Sequence, residues 1–119
     1  YLGCRFAWAN DLAVRAAAPY CDVISYNVYR RTVADLRLPE GVDKPIVIGE
    51  TFPLSCGVDD EREFLLKSRA LAQGWLGHWP DQSPRQLAEL KNQGKITIEQ
   101  AIWLSWVELF REIGPQMKK

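Results

Sequence analysis

The sequence predicts an α/β protein of about four parallel strands with covering helices, and three observations lead to this class. Segments rich in β-branched and aromatic residues alternate along the chain with segments of helical periodicity. The run Lys44–Glu50 carries three consecutive aliphatic residues after a proline, which is typical of a buried parallel strand. The run closes on a carboxylate, Glu50, at the strand tip where α/β proteins place their chemistry.

The composition is that of an ordinary globular chain with enough residues for one small domain. The 119 residues include 15 basic and 15 acidic side chains, and 47% are hydrophobic. With this balance the chain has no excess of positive charge to attract nucleic acid or an anionic membrane. No apolar stretch is long enough to span a bilayer. We therefore expect neither a nucleic-acid nor a membrane partner. Because the chain opens with Tyr1 inside an apolar segment, we interpret it as a fragment of a longer protein.

The cysteines predict no metal site. Cys4, Cys21 and Cys56 are widely spaced, and His78 is the only histidine, so no metal-ligand spacing is present. Buried thiols are the expected state of all three cysteines. A nucleophilic pair of a thiol with His78 stays open, because a fold can join distant residues, but no feature of the sequence favours it.

Four strands are predicted, and the second is the one richest in β-branched and aromatic residues. The strands, in chain order, are Leu2–Ala7, Asp22–Tyr29, Pro45–Glu50 and Gly74–Trp79. A helix over Leu12–Ala17, capped by Asn10 or Asp11, connects the first two strands and ends before Pro19. A short helix near Thr32–Leu36 is expected between the second strand and the third.

Three further helices follow the third strand. The first is expected to begin at Asp59 or Asp60, with Asp60 and Glu63 resembling a capping box, and to run to about Gln73. The second begins with Ser83-Pro84-Arg85-Gln86, which places a cap, a proline and a glutamine in the order of a helix start.

The last predicted helix begins at a second capping box, Thr97 to Gln100. It is expected to run to about Ile113 and to end at Gly114 and Pro115. Apolar residues lie along two sides of this helix, so we expect it either to be covered on both or to lose a neighbour when the chain is isolated.

Side-chain alternation indicates where a functional site lies. The second strand becomes polar towards its carboxyl end on the face that carries Asn27 and Tyr29. We therefore expect these two side chains to point into the same cavity as Glu50. On the fourth strand Trp75 and Trp79 share a face, with Trp79 at the tip. Four βα units are half of a closed eight-stranded barrel, and this pattern favours a half-barrel over a small open sheet.

The motifs at Asp22–Tyr29 and Lys44–Glu50 resemble strands six and seven of the retaining glycoside hydrolases of clan A. These are (β/α)₈ enzymes that include cellulases, β-glucuronidases, β-galactosidases and β-agarases. The opening Tyr1–Ala7 is similar to strand five of β-agarase-like members, and Gly74–Trp79 falls where strand eight belongs. The resemblance covers essentially the whole chain. It implies that residues 1–119 are the C-terminal half of a TIM barrel catalytic domain, strands five to eight.

The resemblance also implies roles for single residues. Glu50 matches the catalytic nucleophile, and Tyr29 matches the tyrosine whose hydroxyl donates to that carboxylate and favours its charged form. Further residues are candidates for binding the sugar, and these are Trp79, Trp75, Asn27, Arg5 and His78. The alternatives are an aromatic wall residue for Tyr29, core packing for Trp79, structural hydrogen bonds for Asn27 and Arg5, and a solvent-facing His78.

A retaining glycosidase needs a second carboxylic acid about 5–5.5 Å from the nucleophile. In the clan this acid/base residue is a Glu at the end of strand four, which would precede Tyr1. Four acidic residues of this chain stand in no comparable context, and these are Asp11, Asp22, Glu40 and Asp59. The resemblance thus implies the nucleophile half of an enzyme that hydrolyses a β-linked oligo- or polysaccharide. The N-terminal half of the barrel is expected outside this chain, and the chain alone is expected to be inactive or nearly so.

The resemblance implies no cofactor, and it suggests an extracellular or periplasmic location that the residues themselves do not indicate. Two other functions stay open. One is a degenerate barrel that binds carbohydrate without cleaving it. The other is an unrelated α/β domain in which Glu50 is incidental.

Overall fold

A computed structural model describes residues 7–28, 36–51, 56–77 and 82–118 of the chain. Three strands and four α-helices lie within these ranges. In chain order they are α1 (Ala7–Ala17), β1 (Ile24–Val28), β2 (Ile46–Thr51), α2 (Val58–Ser68), β3 (Ala72–Trp75), α3 (Pro84–Asn92) and α4 (Ile98–Met117). The predicted α/β class is confirmed, with three described strands instead of about four.

The three strands form one parallel sheet in the order β1-β2-β3. Each crossover therefore moves the chain by one strand in the same direction. A doubly wound sheet reverses this direction at its switch point, whereas the wall of a barrel does not. The predicted parallel pairing is confirmed, and closure into a barrel stays a prediction.

Helices cover one face of this sheet. The main apolar core joins side chains of the strands to α2 and α4, and its buried members are Val28, Leu36, Ile46, Ile48, Phe64, Leu65, Ala72, Leu109 and Ile113. A second cluster joins Ile24 of β1 to Val14 of α1 and to Ala18. The opposite face carries partly buried residues that, apart from one valine, are small or polar, namely Ser25, Asn27, Val47, Gly49, Glu50 and Gly74. We call this side of the sheet the open face.

The first predicted strand, Leu2–Ala7, falls mostly on residues 1–6, which lie outside the described residues. Its last residue, Ala7, already belongs to α1, so the predicted start of this helix near Leu12 is wrong. Asn10 and Asp11 therefore lie within the helix and do not cap it. The alanines before Leu12 explain the earlier start, because alanine has the highest intrinsic helix propensity. Of the short helix predicted at 32–36, only Leu36 is described.

The prediction for α2 needs correction at both ends. Its N-cap is Gly57, which provides no side-chain bond, and the acidic Asp59 and Asp60 lie inside the first turn. There they favour the helix through its dipole instead of by capping. The helix ends at Ser68, because the chain must turn there for Ala72 to pack in the core as the first residue of β3. The fourth predicted strand thus begins two residues earlier than Gly74.

The capping boxes predicted at Ser83 and Thr97 are confirmed, whereas the one expected at Asp60 is not. The Ser83 and Thr97 hydroxyls accept from the backbone of Gln86 and Gln100, whose side chains accept from the two cap residues in return. The predicted end of α4 is wrong, because the helix continues through Pro115 to Met117. Proline removes one backbone donor, and this loss falls in the exposed last turn, where water can replace it.

Helix α4 is covered on two sides, as predicted. Leu109 and Ile113 pack in the main core beneath the sheet. Trp103 and Leu104 pack against Leu87 of α3 in a separate cluster. Ile98, at the start of the helix, is 83% exposed and takes no part in either side.

A tyrosine anchors the segment that leads into β2. The Tyr26 hydroxyl donates to the backbone oxygen of Arg37 over 3.2 Å. Burial raises the pKa of the Tyr26 phenol, and the charge of Asp11 raises this pKa further, while Arg37 lowers it. The phenol is therefore neutral and available as a donor, on the face of β1 that packs against the helices.

Replacing Ser68 by alanine is expected to lower the free energy of unfolding by about 1–3 kcal/mol. The buried Ser68 hydroxyl donates to the Leu65 carbonyl over 2.7 Å and accepts from the Trp75 indole N–H over 2.8 Å. Its loss leaves the indole donor without this partner. Ser105→Ala is the matched control, because the described contact of that hydroxyl is a donation to the Ile102 carbonyl. Equal losses of stability in urea titrations of the two variants would contradict the importance of the indole bond.

Candidate active site

The carboxylate of Glu50 lies beside Asn27 at the carboxyl edge of the sheet. The two residues are paired across the parallel strands β1 and β2. Asn27 Nδ2 donates a hydrogen bond to Glu50 Oε2 over 2.7 Å in a partly buried position. Hydrogen bonds to a charged acceptor are shorter and stronger than neutral ones. The structure therefore brings together two of the predicted site residues and fixes one oxygen of the carboxylate.

An irregularity in strand pairing gives Glu50 this direction. Ile46 and Ile48 both face the helices, so strict alternation would place Glu50 on the helix-covered face as well. The pairing shifts after Tyr26, which is opposite Ile48, so that the next residue, Asn27, lies opposite Glu50. Gly49 is the extra residue. Such a bulge re-aims the side chain that follows it, and Glu50 consequently joins the open face.

Gly49 also provides the space in which this arrangement fits. A Cβ atom on Gly49 would lie 2.2 Å from Ser25 Oγ and 3.3 Å from Asn27 Oδ1. The first distance is a severe overlap, and the second is a tight contact. Ser25 and Gly49 are thus parts of the site that sequence reasoning missed. The available signal was a glycine between an aliphatic run and a strand-terminal carboxylate.

A second pairing irregularity turns Trp75 away from this site. The pairing of β2 with β3 shifts between Ile46 and Val47, which makes Gln73 the extra residue and places Trp75 opposite Ile48. Trp75 therefore faces the helices, where it packs against the main core and donates to Ser68 of α2. The structure does not bring this predicted sugar-binding side chain to Glu50.

The remaining predicted site residues lie outside the described ranges. These are Tyr29, Trp79, His78 and Arg5. Tyr29 directly follows Val28, the last residue of β1, and in an extended chain it would continue on the face of Asn27. Its contact with Glu50 stays a prediction, as do the roles of the other three.

The cysteines differ from the expectation of buried thiols. Cys21 is exposed, because it lies between the turn after α1 and the start of β1, outside the core. Cys56 is partly buried, and its Sγ donates to the Gly57 carbonyl over 3.2 Å. Cys4 lies outside the described residues. Among the residues that are described, no three His, Cys, Asp or Glu side chains cluster in a way that could hold a metal ion.

None of the helices in the described ranges combines the length and the apolar character needed to cross a membrane.

Comparison with known proteins finds a partial similarity. The chain is 44% identical over 59 residues to beta-agarase A of Vibrio sp. (strain JT0107), and the match covers 42% of this chain. It covers 6% of the agarase, so the chain spans a small part of that relative's length. No protein-family profile matches the chain, and no solved structure matches it.

Proposed function

We propose that this chain is part of a retaining glycoside hydrolase that cleaves a β-linked polysaccharide of the agar type, with Glu50 as its nucleophile. The observation that carries the proposal is the hydrogen-bonded Glu50 carboxylate on the open face, at the carboxyl edge of a parallel sheet. Active sites of (β/α)₈ enzymes lie at this edge. The similarity to a beta-agarase supports both the reaction class and the choice of polysaccharide.

The sheet itself supports a barrel as the parent fold. In the described part of the chain, sequential parallel strands with helices on one face leave the other face to be covered by something else. In a closed barrel this second face is the interior, where small and polar residues near the strand ends line the active site. We propose that the open face is such an interior, and that the chain supplies strands five to eight.

The proposed reaction proceeds through a covalent intermediate. A carboxylate oxygen of Glu50 attacks the anomeric carbon as the glycosidic C–O bond breaks, and the departing oxygen takes a proton from a second carboxylic acid. Water then attacks the glycosyl ester, gives its proton to that second residue, and releases Glu50. The described strands carry no second carboxylate, so we assign the acid/base role to the part of the barrel that comes from the parent protein.

The other predicted residues complete the site in this proposal. Tyr29 donates to the Glu50 carboxylate, and Trp79 forms an apolar platform under one sugar ring. Arg5 and His78 contact sugar hydroxyls. Trp75 is left out of this set, because its indole is bound to Ser68 beneath the sheet.

The proposal is tested by trapping the intermediate in the full-length protein. A β-galactoside with fluorine at C2 and a good leaving group is expected to form the glycosyl ester quickly and to lose it slowly. Mass spectrometry should then find one sugar on the peptide that contains Glu50. A sugar on another carboxylate would contradict the assignment of the nucleophile. Agarose binding without release of reducing ends would favour the carbohydrate-binding alternative.

A further inference from the structure

We propose that Asn27 is a positioning residue for the nucleophile, one that holds the Glu50 carboxylate in a single orientation towards the sugar. The inference rests on the proposed function, because it assigns a task within that reaction. Its first support is the contact itself, in which Asn27 Nδ2 lies 2.7 Å from Glu50 Oε2. This contact gives the Asn27 amide a task that does not involve the sugar.

The orientation of the Asn27 amide follows from hydrogen-bond chemistry. An ionised carboxylate only accepts hydrogen bonds, so the amide must present its NH₂ group to Glu50. Its oxygen, Oδ1, then points to the other side, towards the position where Gly49 has no Cβ. The bulge at Gly49 therefore both aims the carboxylate and leaves room for the amide that holds it.

The contact joins two rigid elements. Asn27 and Glu50 are each held in the backbone ladder of the same parallel sheet, and their strands are direct neighbours. A group on a regular element is positioned more accurately than one on a loop. An attacking carboxylate gains from this accuracy, because a misplacement of about 1 Å can reduce the rate about a hundredfold.

The amide group of Asn27 can donate at every pH, and one titratable side chain shares its face on the described strands. Glu50 and Tyr26 are the two titratable side chains of β1, β2 and β3, and Tyr26 faces the helices. On the described strands, therefore, Glu50 is the one titratable group on the face of Asn27. The amide does not titrate, so its hydrogen bond to the carboxylate persists wherever the carboxylate is ionised. A carboxyl in its place could donate only while protonated.

The test compares Asn27→Ala with Asn27→Asp in the full-length protein, with kcat, KM and pH profiles measured on agarose oligosaccharides. Asn27→Ala should lower kcat about a hundredfold with KM changed by less than about threefold, since no sugar contact is lost. Asn27→Asp should be equally impaired near neutral pH and should recover activity as the pH falls, because two adjacent carboxyls bind a shared proton that restores the donor. Asn92→Asp, on α3, is the control for an amide-to-acid change elsewhere.

Two results would overturn the proposal. One is a rise in KM at unchanged kcat in Asn27→Ala, which would make Asn27 a sugar contact. The other is an Asn27→Asp pH profile parallel to that of the wild type, which decides the matter even if Asn27→Ala fails to fold. Both are distinct from failure of the proposed function, in which the wild-type protein forms no sugar ester on Glu50.

Discussion

Replacing Glu50 by glutamine in the full-length protein is expected to lower kcat/KM on a β-linked polysaccharide by about three orders of magnitude or more. This corresponds to about 4 kcal/mol of lost transition-state stabilisation. Glutamine has nearly the shape of glutamate, and it can remain beside Asn27 at the strand tip. It carries no negative charge, however, and cannot form the glycosyl ester through which the retaining reaction proceeds. Release of reducing ends from agarose provides the measurement.

The control for this change is Glu40→Gln, which removes an exposed carboxylate in the turn before β2. It should leave both turnover and stability unchanged. If Glu50→Gln also keeps wild-type turnover, Glu50 is incidental and the chain belongs to an unrelated α/β domain. A thermal melt of each variant separates a loss of chemistry from a loss of folded protein.

Gly49→Ala is expected to lower the free energy of unfolding by about 1–3 kcal/mol, the usual effect of overpacking. The new methyl group would overlap Ser25 Oγ at 2.2 Å, and it would press on Asn27 Oδ1 at 3.3 Å. Ser25 can rotate, whereas Asn27 cannot move without disturbing its bond to Glu50. Activity should therefore fall about a hundredfold, in addition to the loss of stability.

A second substitution should separate the two effects of Gly49→Ala. Ser25→Ala removes the oxygen at 2.2 Å and leaves Ser25 Cβ at 3.5 Å, an ordinary contact distance. The double variant should regain most of the stability and less of the activity, since the pressure on Asn27 remains. Gly74→Ala is the matched control, because its methyl group would meet Val47 at 3.5 and 3.6 Å. If both glycine variants lose equal stability in urea titrations, the overlap with Ser25 is unimportant.

Local patterns predicted much of the architecture. The aliphatic run of β2 and the alternation of strands with helices predicted a parallel sheet, and the capping boxes at Ser83 and Thr97 predicted where two helices begin. These features depend on neighbours in sequence. The end of α2 depends on the packing of Ala72 in the core, and for this reason its predicted boundary was wrong.

The candidate site was predictable in its members but not in its directions. The prediction that Asn27 and Glu50 lie together is confirmed by their hydrogen bond. Regular alternation along β2, counted from Ile46, would have turned Glu50 towards the helices. Regular alternation along the fourth predicted strand placed Trp75 on the same face as Trp79, whereas in the structure Trp75 faces the helices. The cause in both cases is an extra residue in the strand. Such a residue is defined by the pairing with the neighbouring strand, so the sequence of one strand alone indicates it only weakly.

The two extra residues have a practical consequence for redesign of this protein. Because Gly74 and Trp75 keep their partners Val47 and Ile48 whether or not Gln73 is present, deletion of this one codon should make the pairing regular and leave the indole on the helix-covered side. Removal of Gly49 should likewise leave Glu50 opposite Asn27, so each strand should tolerate the loss of its extra residue without reversing the direction of the side chains beyond it.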